Sequence, residues 1–136
     1  MIPVNEPEFL GNEKAYLNEC IDTGWIGSDG PFVKKFEYEF AKYIGRKHSI
    51  SVSSGTAALE VAIKSLNFEK GSEIILPTMT IISCAQAITN AGLIPVPIDC
   101  SLDDYNILVD KIEEKITSKT KAIMVVHIYG ITSMMD

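Results

Sequence analysis

The sequence has few cysteines and few histidines, and these shortages exclude several classes of protein. Its 136 residues contain three cysteines, Cys20, Cys84 and Cys100, which are widely spaced and form no C-x-x-C pair. This pattern excludes a disulfide framework and a zinc knuckle, and we expect reduced, buried or half-buried thiols. The two histidines, His48 and His127, have no cysteine or acidic residue at helical ligand spacing, so we expect no metal site.

Long apolar runs and basic clusters are also missing. The apolar runs, such as residues 74–77 and 123–126, are far shorter than the roughly 20 residues that a membrane span needs. The first residues lack the basic and apolar regions of a signal peptide, so we expect a cytoplasmic protein. Twelve Lys and Arg against 18 Asp and Glu give a net charge of −6, which predicts neither nucleic acid nor an anionic membrane as partner. The length and the 46% hydrophobic content suit a single folded domain over residues 1–136.

Helical and strand-like segments alternate along the chain. The pattern predicts helices over residues 11–23, 31–44, 56–66, 80–91 and 107–116, and strands over residues 48–53, 73–76, 93–98 and 122–127. Strands that are apolar on both faces and separated by helices indicate an α/β fold, with a mostly parallel sheet and helices on both faces. Because no helix follows the last predicted strand, we expect an incomplete unit, or an edge that a partner chain covers.

The segment Ser53-Ser54-Gly55-Thr56-Ala57-Ala58-Leu59 lies between a predicted strand and a predicted helix. The first amides of such a helix are unpaired, its dipole is positive at this end, and glycine lets an anion approach the backbone. The segment therefore has the form of a phosphate cradle, although an ordinary Ser or Thr cap would give the same pattern. It is not a Walker motif, since no Gly-Lys-Ser/Thr follows.

Two other motifs have simpler explanations. The Gly24-x-x-Gly27-x-x-Gly30 series has the wrong spacing for a dinucleotide-binding loop and follows a predicted helix, so it indicates a flexible connection. Its Trp25, the single tryptophan, is able to cover a ligand from such a loop. The acidic segment 99–104 lacks the glycine and the distant glutamate of a calcium loop, and we interpret it as a solvated turn.

Four stretches carry a resemblance to a known family: residues 23–33, 52–59, 73–80 and 120–130, in this order. Together they resemble the N-terminal part of the DegT/DnrJ/EryC1/StrS family of pyridoxal-phosphate-dependent aminotransferases, which act on nucleotide-linked keto-sugars and have the type I fold of these enzymes. The resemblance covers essentially the whole chain. It implies that residues 1–136 are the N-terminal portion of the large domain.

The resemblance also implies roles for individual residues. Gly55 and Thr56 match the pair that holds the phosphate of pyridoxal 5′-phosphate (PLP). Ile81 lies where many members have an aromatic residue on the cofactor ring, so that here a branched aliphatic side chain would cover the ring face. Trp25, Gly27 and Ser28 match the loop that lines the sugar-nucleotide pocket.

The implied reaction of a complete enzyme is amino transfer from L-glutamate to a nucleotide-linked keto-sugar, by a homodimer. The family's aspartate on the pyridinium nitrogen and its Schiff-base lysine match positions after Asp136, so no catalytic residue is assigned here. We therefore expect the 136 residues alone not to catalyse transamination. Two alternatives stay open: a sugar dehydratase of the same family, with histidine in place of that lysine, and a non-catalytic remnant that acts as an interaction module.

Overall fold

The computed structural model describes residues 2–3 and 5–135, which divide into two compact units, one up to Ser51 and one from Val52. The first unit contains the helices α1 (Glu13–Thr23) and α2 (Pro31–Tyr43). The second contains, in chain order, α3 (Gly55–Ser65), β1 (Glu73–Pro77), α4 (Ile82–Asn90), β2 (Ile94–Ile98), two short 3-10 helices (Val109–Lys111 and Glu113–Lys115), β3 (Thr120–Ile123) and a third 3-10 helix (Ile128–Gly130).

The helices of the first unit begin and end as the local residues predict. Helix α1 ends at Gly24, whose φ of +74° is a left-handed conformation that glycine adopts without strain. Pro31 occupies the first turn of α2, where its missing amide hydrogen costs no helical bond. Two aromatic side chains lie one turn apart on α2: the rings of Phe36 and Phe40 are 5.6 Å apart, and both side chains are exposed.

The second unit is built on a parallel sheet with the strand order β2-β1-β3. Successive residues of the central strand β1 face opposite sides, because side chains alternate along a strand. Ile74 packs with Ile88 of α4 on one side, in a cluster that includes Ile63 of α3. Ile75 packs with Ile98 and with apolar residues of segment 107–112 on the other side. The predicted α/β class with a parallel sheet is therefore confirmed.

The predicted helix over residues 107–116 is wrong, because the structure has two 3-10 turns there. The segment begins in an extended conformation: the Leu108 amide donates to the Asp99 carbonyl at 3.0 Å, and Cys100 and Ile107 form an isolated bridge. After this anchor the remaining residues close i+3 bonds, such as that from the Ile112 amide to the Val109 carbonyl. Packing of Ile107 and Ile112 against Ile75 of the sheet thus overrides the helical pattern of segment 107–116.

Two strand predictions need correction. Residues 48–53 are not a strand, and the Ser51 amide donates to the Glu37 carboxylate at 2.8 Å in place of a strand neighbour. The last strand is Thr120–Ile123 and not residues 122–127. This strand pairs with β1, and just after it the Met124 amide still donates to the Ile75 carbonyl at 2.7 Å. Because β1 ends at Pro77, the residues after Met124 have little of that strand left to pair with.

Candidate phosphate-binding site

The start of α3 presents two unpaired backbone amides. Ser54 caps this helix, because its hydroxyl accepts the Ala57 amide at 3.2 Å and its carbonyl accepts the first helical bond, from Ala58, at 3.0 Å. Among the described residues the amides of Gly55 and Thr56 have no hydrogen-bond acceptor, and both residues are exposed. Two donors at the positive end of an 11-residue helix therefore face solvent.

A second helix begins at the same place. The hydroxyl groups of Thr56 and Ser83 are 2.9 Å apart, and Ser83 lies in the first turn of α4. Since α4 follows the carboxyl end of β1, this contact brings the start of α3 to that edge of the parallel sheet as well. Each helix N-terminus carries roughly +0.5 elementary charge, so the two dipoles add where an anion would bind. Ligands of open α/β sheets bind at this kind of edge.

The donors and the free space at this edge suit a phosphate group. A doubly charged phosphate presents only acceptor oxygens, and the site presents two amides and a hydroxyl. A Cβ added to Gly55 would meet no atom within 4 Å, so the space beside this backbone is open. The residues present therefore fit the phosphate of a cofactor such as PLP.

Ile81 stands at the same edge, immediately before α4. It is the N-cap residue of that helix, offers no side-chain cap, and is 62% exposed. Two bonds tie its loop to the end of β2 and to the segment after it: the Thr78 amide donates to the Ile98 carbonyl at 2.8 Å, and the Met79 amide donates to the Cys100 thiol at 3.3 Å. An exposed apolar side chain on an anchored loop is able to cover a flat ring.

Trp25, Gly27 and Ser28 lie in the first unit, whereas Gly55, Thr56 and Ile81 lie in the second. Trp25 is 53% exposed and, with Gly27, lines an apolar hollow of about 290 Å³ between the end of α1 and the start of α2. Ser28 is exposed and does not line this hollow. A Cβ on Gly27 would meet nothing within 4 Å, so this glycine is not required by local packing.

Hydrogen bonds lower the pKa of several carboxyl groups, none of them at the start of α3. Bonds from the Ser51 amide and then the Ser51 hydroxyl hold the pKa of Glu37 below its ordinary value. The pKa of Asp104 is likewise lowered, chiefly by the side chain and amide of Asn106. Over residues 2–3 and 5–135, no three His, Cys, Asp or Glu side chains come together as metal ligands would. In the same residues, no helix is both long and apolar enough to span a bilayer.

The acidic segment 99–104 is only partly the solvated turn that its composition predicts. Asp99 and Asp103 are exposed, but the adjoining Asn106 is buried and receives the Ser133 hydroxyl at 2.8 Å. Its amide side chain in turn donates to Asp104 at 3.0 Å. The segment therefore serves as a folded connection that anchors residues near position 133.

Sequence reasoning missed two features. The first is the contact between Ser83 and Thr56, which are 27 positions apart. The available signal for this contact was a hydroxyl in the first turn of the helix that follows α3 and β1.

The second is a basic hollow of about 420 Å³ in the first unit, lined in part by Lys34, Lys42, Arg46 and Lys47. These four residues lie within positions 34–47, and α2 and the following turn bring their side chains to one hollow. Positive charge at a helix C-terminus stabilises the helix, which explains the basic residue in the last turn of α2, Lys42.

The fold and the candidate site define an α/β protein in which, among the described residues, the amides of Gly55 and Thr56 are unpaired at the carboxyl edge of the parallel sheet. The family model for the DegT/DnrJ/EryC1/StrS aminotransferase family matches residues 8–136. The chain belongs to this family.

Curated relatives and solved structures agree with the family match. GDP-perosamine synthase of Vibrio cholerae is 44% identical over 130 residues, which cover 96% of this chain and 35% of that protein. A second match is the pyridoxamine phosphate (PMP) form of a Streptococcus pneumoniae protein that is described as a sugar aminotransferase. It has a TM-score of 0.85 and 33% identity, and the match covers 97% of this chain and 33% of that one. An Escherichia coli GDP-4-keto-6-deoxy-D-mannose-3-dehydratase with bound hydrated PLP has a TM-score of 0.81 and 29% identity over 90% of this chain and 33% of that one. The chain thus spans about a third of the length of the relatives it matches.

Proposed function

We propose that the chain is the N-terminal, cofactor-phosphate-binding portion of a PLP-dependent aminotransferase that acts on nucleotide-linked keto-sugars. One observation carries the proposal: the N-termini of α3 and α4 meet at the carboxyl edge of a parallel sheet, with the amides of Gly55 and Thr56 unpaired. Membership in an aminotransferase family supplies the chemistry that this anion site serves.

The residues of this chain would divide the binding of the cofactor between them. Gly55 and Thr56 would hold the phosphate through their amides and the Thr56 hydroxyl, and Ile81 would cover one face of the ring. PLP, when bound, supplies a conjugated ring that accepts electrons from the substrate. The part played by these 136 residues is therefore to bind and orient the cofactor.

The substrate side of the proposal rests on the first unit. Trp25, Gly27 and Ser28 would contact the nucleotide-linked sugar, because an exposed tryptophan on a glycine-rich loop offers a stacking surface to a base or a sugar. We further propose L-glutamate as amino donor, a homodimeric enzyme and action in the cytoplasm. The three cysteines, all free thiols, fit a reducing compartment.

A dehydratase is the second candidate, because the Escherichia coli keto-deoxymannose dehydratase matches the chain with a TM-score of 0.81. An activity assay distinguishes the two candidates. In this assay the gene product that contains this segment is given a nucleotide-linked keto-sugar, PLP and ¹⁵N-glutamate. Transfer of ¹⁵N to the sugar identifies an aminotransferase, whereas loss of a sugar hydroxyl as water identifies a dehydratase. The 136-residue chain alone should do neither, and ¹⁵N transfer by it would refute that expectation.

The cofactor site itself is tested by binding of pyridoxamine phosphate (PMP) to the 136-residue protein. PMP has no aldehyde, so it cannot react with surface lysines. Pyridoxamine, which lacks the phosphate, is the matched ligand. We expect PMP to bind at least tenfold more tightly, and the amide resonances of Gly55 and Thr56 to shift on binding.

Thr56→Val tests the hydroxyl, because valine keeps the side-chain shape. Hydrogen bonds to charged groups contribute about 1.5–3 kcal/mol, so PMP should bind about tenfold or more weakly while pyridoxamine is unaffected. Thr89→Val is the control, since that hydroxyl near the end of α4 bonds only the Ala85 and Gln86 carbonyls. Equal affinity of the unsubstituted protein for the two ligands would refute the phosphate site.

A further inference from the structure

We propose that Ser83 is a positioning residue for the phosphate: its hydroxyl holds the Thr56 hydroxyl so that the Thr56 hydrogen points to the ligand. The inference rests on the proposed function and adds a residue to that site. Ser83 lies on a different helix from the loop that the family resemblance assigns to the phosphate. It would act on the ligand only through Thr56.

The contact has one exposed and one buried end. The two hydroxyl oxygens are 2.9 Å apart, Ser83 is only 9% exposed, and Thr56 is exposed. Ser83 is also fixed from below, because Cys84, Ala87 and Ile88 of the same helix are buried in the core. The exposed Thr56 hydroxyl is thus hydrogen-bonded to a side chain that the packed core holds in place.

The number of available hydrogens decides the direction of the bond. Each hydroxyl has one hydrogen to donate, and within the described residues neither has a second hydrogen-bond partner. Either group is able to donate while the site holds no anion. A phosphate with only acceptor oxygens requires the Thr56 hydrogen for itself, so Ser83 must then donate to Thr56. Bonds in such a chain polarise and strengthen each other.

The arrangement also fixes the rotamer of Thr56. Without Ser83, the Thr56 hydroxyl would have no fixed partner and would be free to turn to water. The loss would appear as weaker phosphate binding and leave the cofactor ring contact unchanged. This separates a positioning role from general support of the fold.

The test is a double-mutant cycle on PMP binding with Ser83→Ala and Thr56→Val. We expect Ser83→Ala to weaken PMP binding by about three- to tenfold, the range of one hydrogen bond, and to leave pyridoxamine binding unchanged. In the Thr56→Val background the same substitution should have no further effect. Ser65→Ala, which removes a hydroxyl at the far end of α3, is the control and should not change either affinity.

The possible outcomes separate the two proposals. If the unsubstituted protein prefers PMP and Thr56→Val weakens it, but Ser83→Ala does not, the positioning role is refuted and the phosphate site stands. If Ser83→Ala weakens binding equally in both backgrounds, Ser83 acts independently of Thr56 and the inference fails. If the unsubstituted protein does not distinguish PMP from pyridoxamine, the phosphate site itself fails. Ser83→Thr, which retains the hydroxyl, should restore the affinity, and unfolding curves verify that each variant is folded.

Discussion

Substitution of Gly55 by alanine should make the protein more stable and its phosphate binding weaker. An added Cβ meets no atom within 4 Å, and Gly55 is not in a left-handed conformation, so the fold accepts the change without strain. Alanine restricts the unfolded chain and suits the first turn of α3. The free energy of unfolding should therefore stay constant or rise by up to about 1 kcal/mol.

Binding should change in the opposite direction. The open space beside the Gly55 amide is where a phosphate oxygen would approach, and a methyl group there lengthens or removes one of the charge-assisted bonds. Loss of one such bond, about 1.5–3 kcal/mol, predicts about tenfold or more weaker PMP binding. Titration of PMP into both proteins measures the affinities, and urea unfolding measures the stabilities.

The two measurements together decide the interpretation. Gly27→Ala is the control, because this glycine also has open space around it but belongs to the first unit. It should leave PMP affinity unchanged. A folded Gly55→Ala protein with full affinity for PMP would show that the phosphate does not bind beside the Gly55 amide. An unfolded Gly55→Ala protein would show that the space beside Gly55 is not open.

Three further predictions follow from single contacts. Ile88→Ala, at a fully buried position in the core, should lower the free energy of unfolding by about 2–5 kcal/mol. Its control, Ile82→Ala on the exposed face of the same helix, should change the free energy of unfolding by less than about 1 kcal/mol. Similar losses for the two variants in urea unfolding would contradict the packing. Ile81→Tyr should strengthen binding of both PMP and pyridoxamine several-fold, since an aromatic ring adds about 0.5–1.5 kcal/mol of stacking, and Ile82→Tyr serves as its control. Ser51→Ala should raise the pKa of Glu37 toward its ordinary value but not fully, because the Ser51 amide still donates, and an NMR titration of the Glu37 carboxyl measures this.

The pH dependence that follows from Glu37 has a definite sign. Its folded-state pKa lies below the ordinary value, so the stabilisation it gives is present above that ordinary value and is lost as the pH falls through the folded-state pKa. Glu37→Gln should therefore remove part of the loss of stability of the protein in acid. An unchanged acid limb of the stability curve would contradict the contribution of these bonds.

Local features of the structure were predictable where short-range chemistry decides them. Gly24 and Gly45 follow the ends of α1 and α2, where the backbone takes a left-handed conformation that glycine adopts without strain. Pro31 starts α2 because the first turn of a helix does not use its amide hydrogen. The capped start of α3 follows from Ser54 and its neighbours alone. The candidate phosphate site could be recognised from the sequence because its amides belong to one short segment.

Other features depend on neighbours that are distant in sequence. Residues 48–53 have the composition of a strand, yet Glu37 of α2 takes the Ser51 amide. Residues 107–116 have helical spacing, yet the bond from Leu108 to the Asp99 carbonyl fixes an extended start. In both segments contacts with other parts of the fold outweigh local propensities, which differ by less than about 1 kcal/mol per residue.

The sequence by itself determined helices α1 to α4, strands β1 and β2, the family and the backbone donors at Gly55 and Thr56. The tertiary structure alone decided that α4 begins beside α3 and that the Ser83 hydroxyl meets Thr56 at 2.9 Å. The physical reason is that unpaired amides at a helix start are a property of consecutive residues. The partner of a side-chain hydroxyl depends on how the sheet and its helices pack.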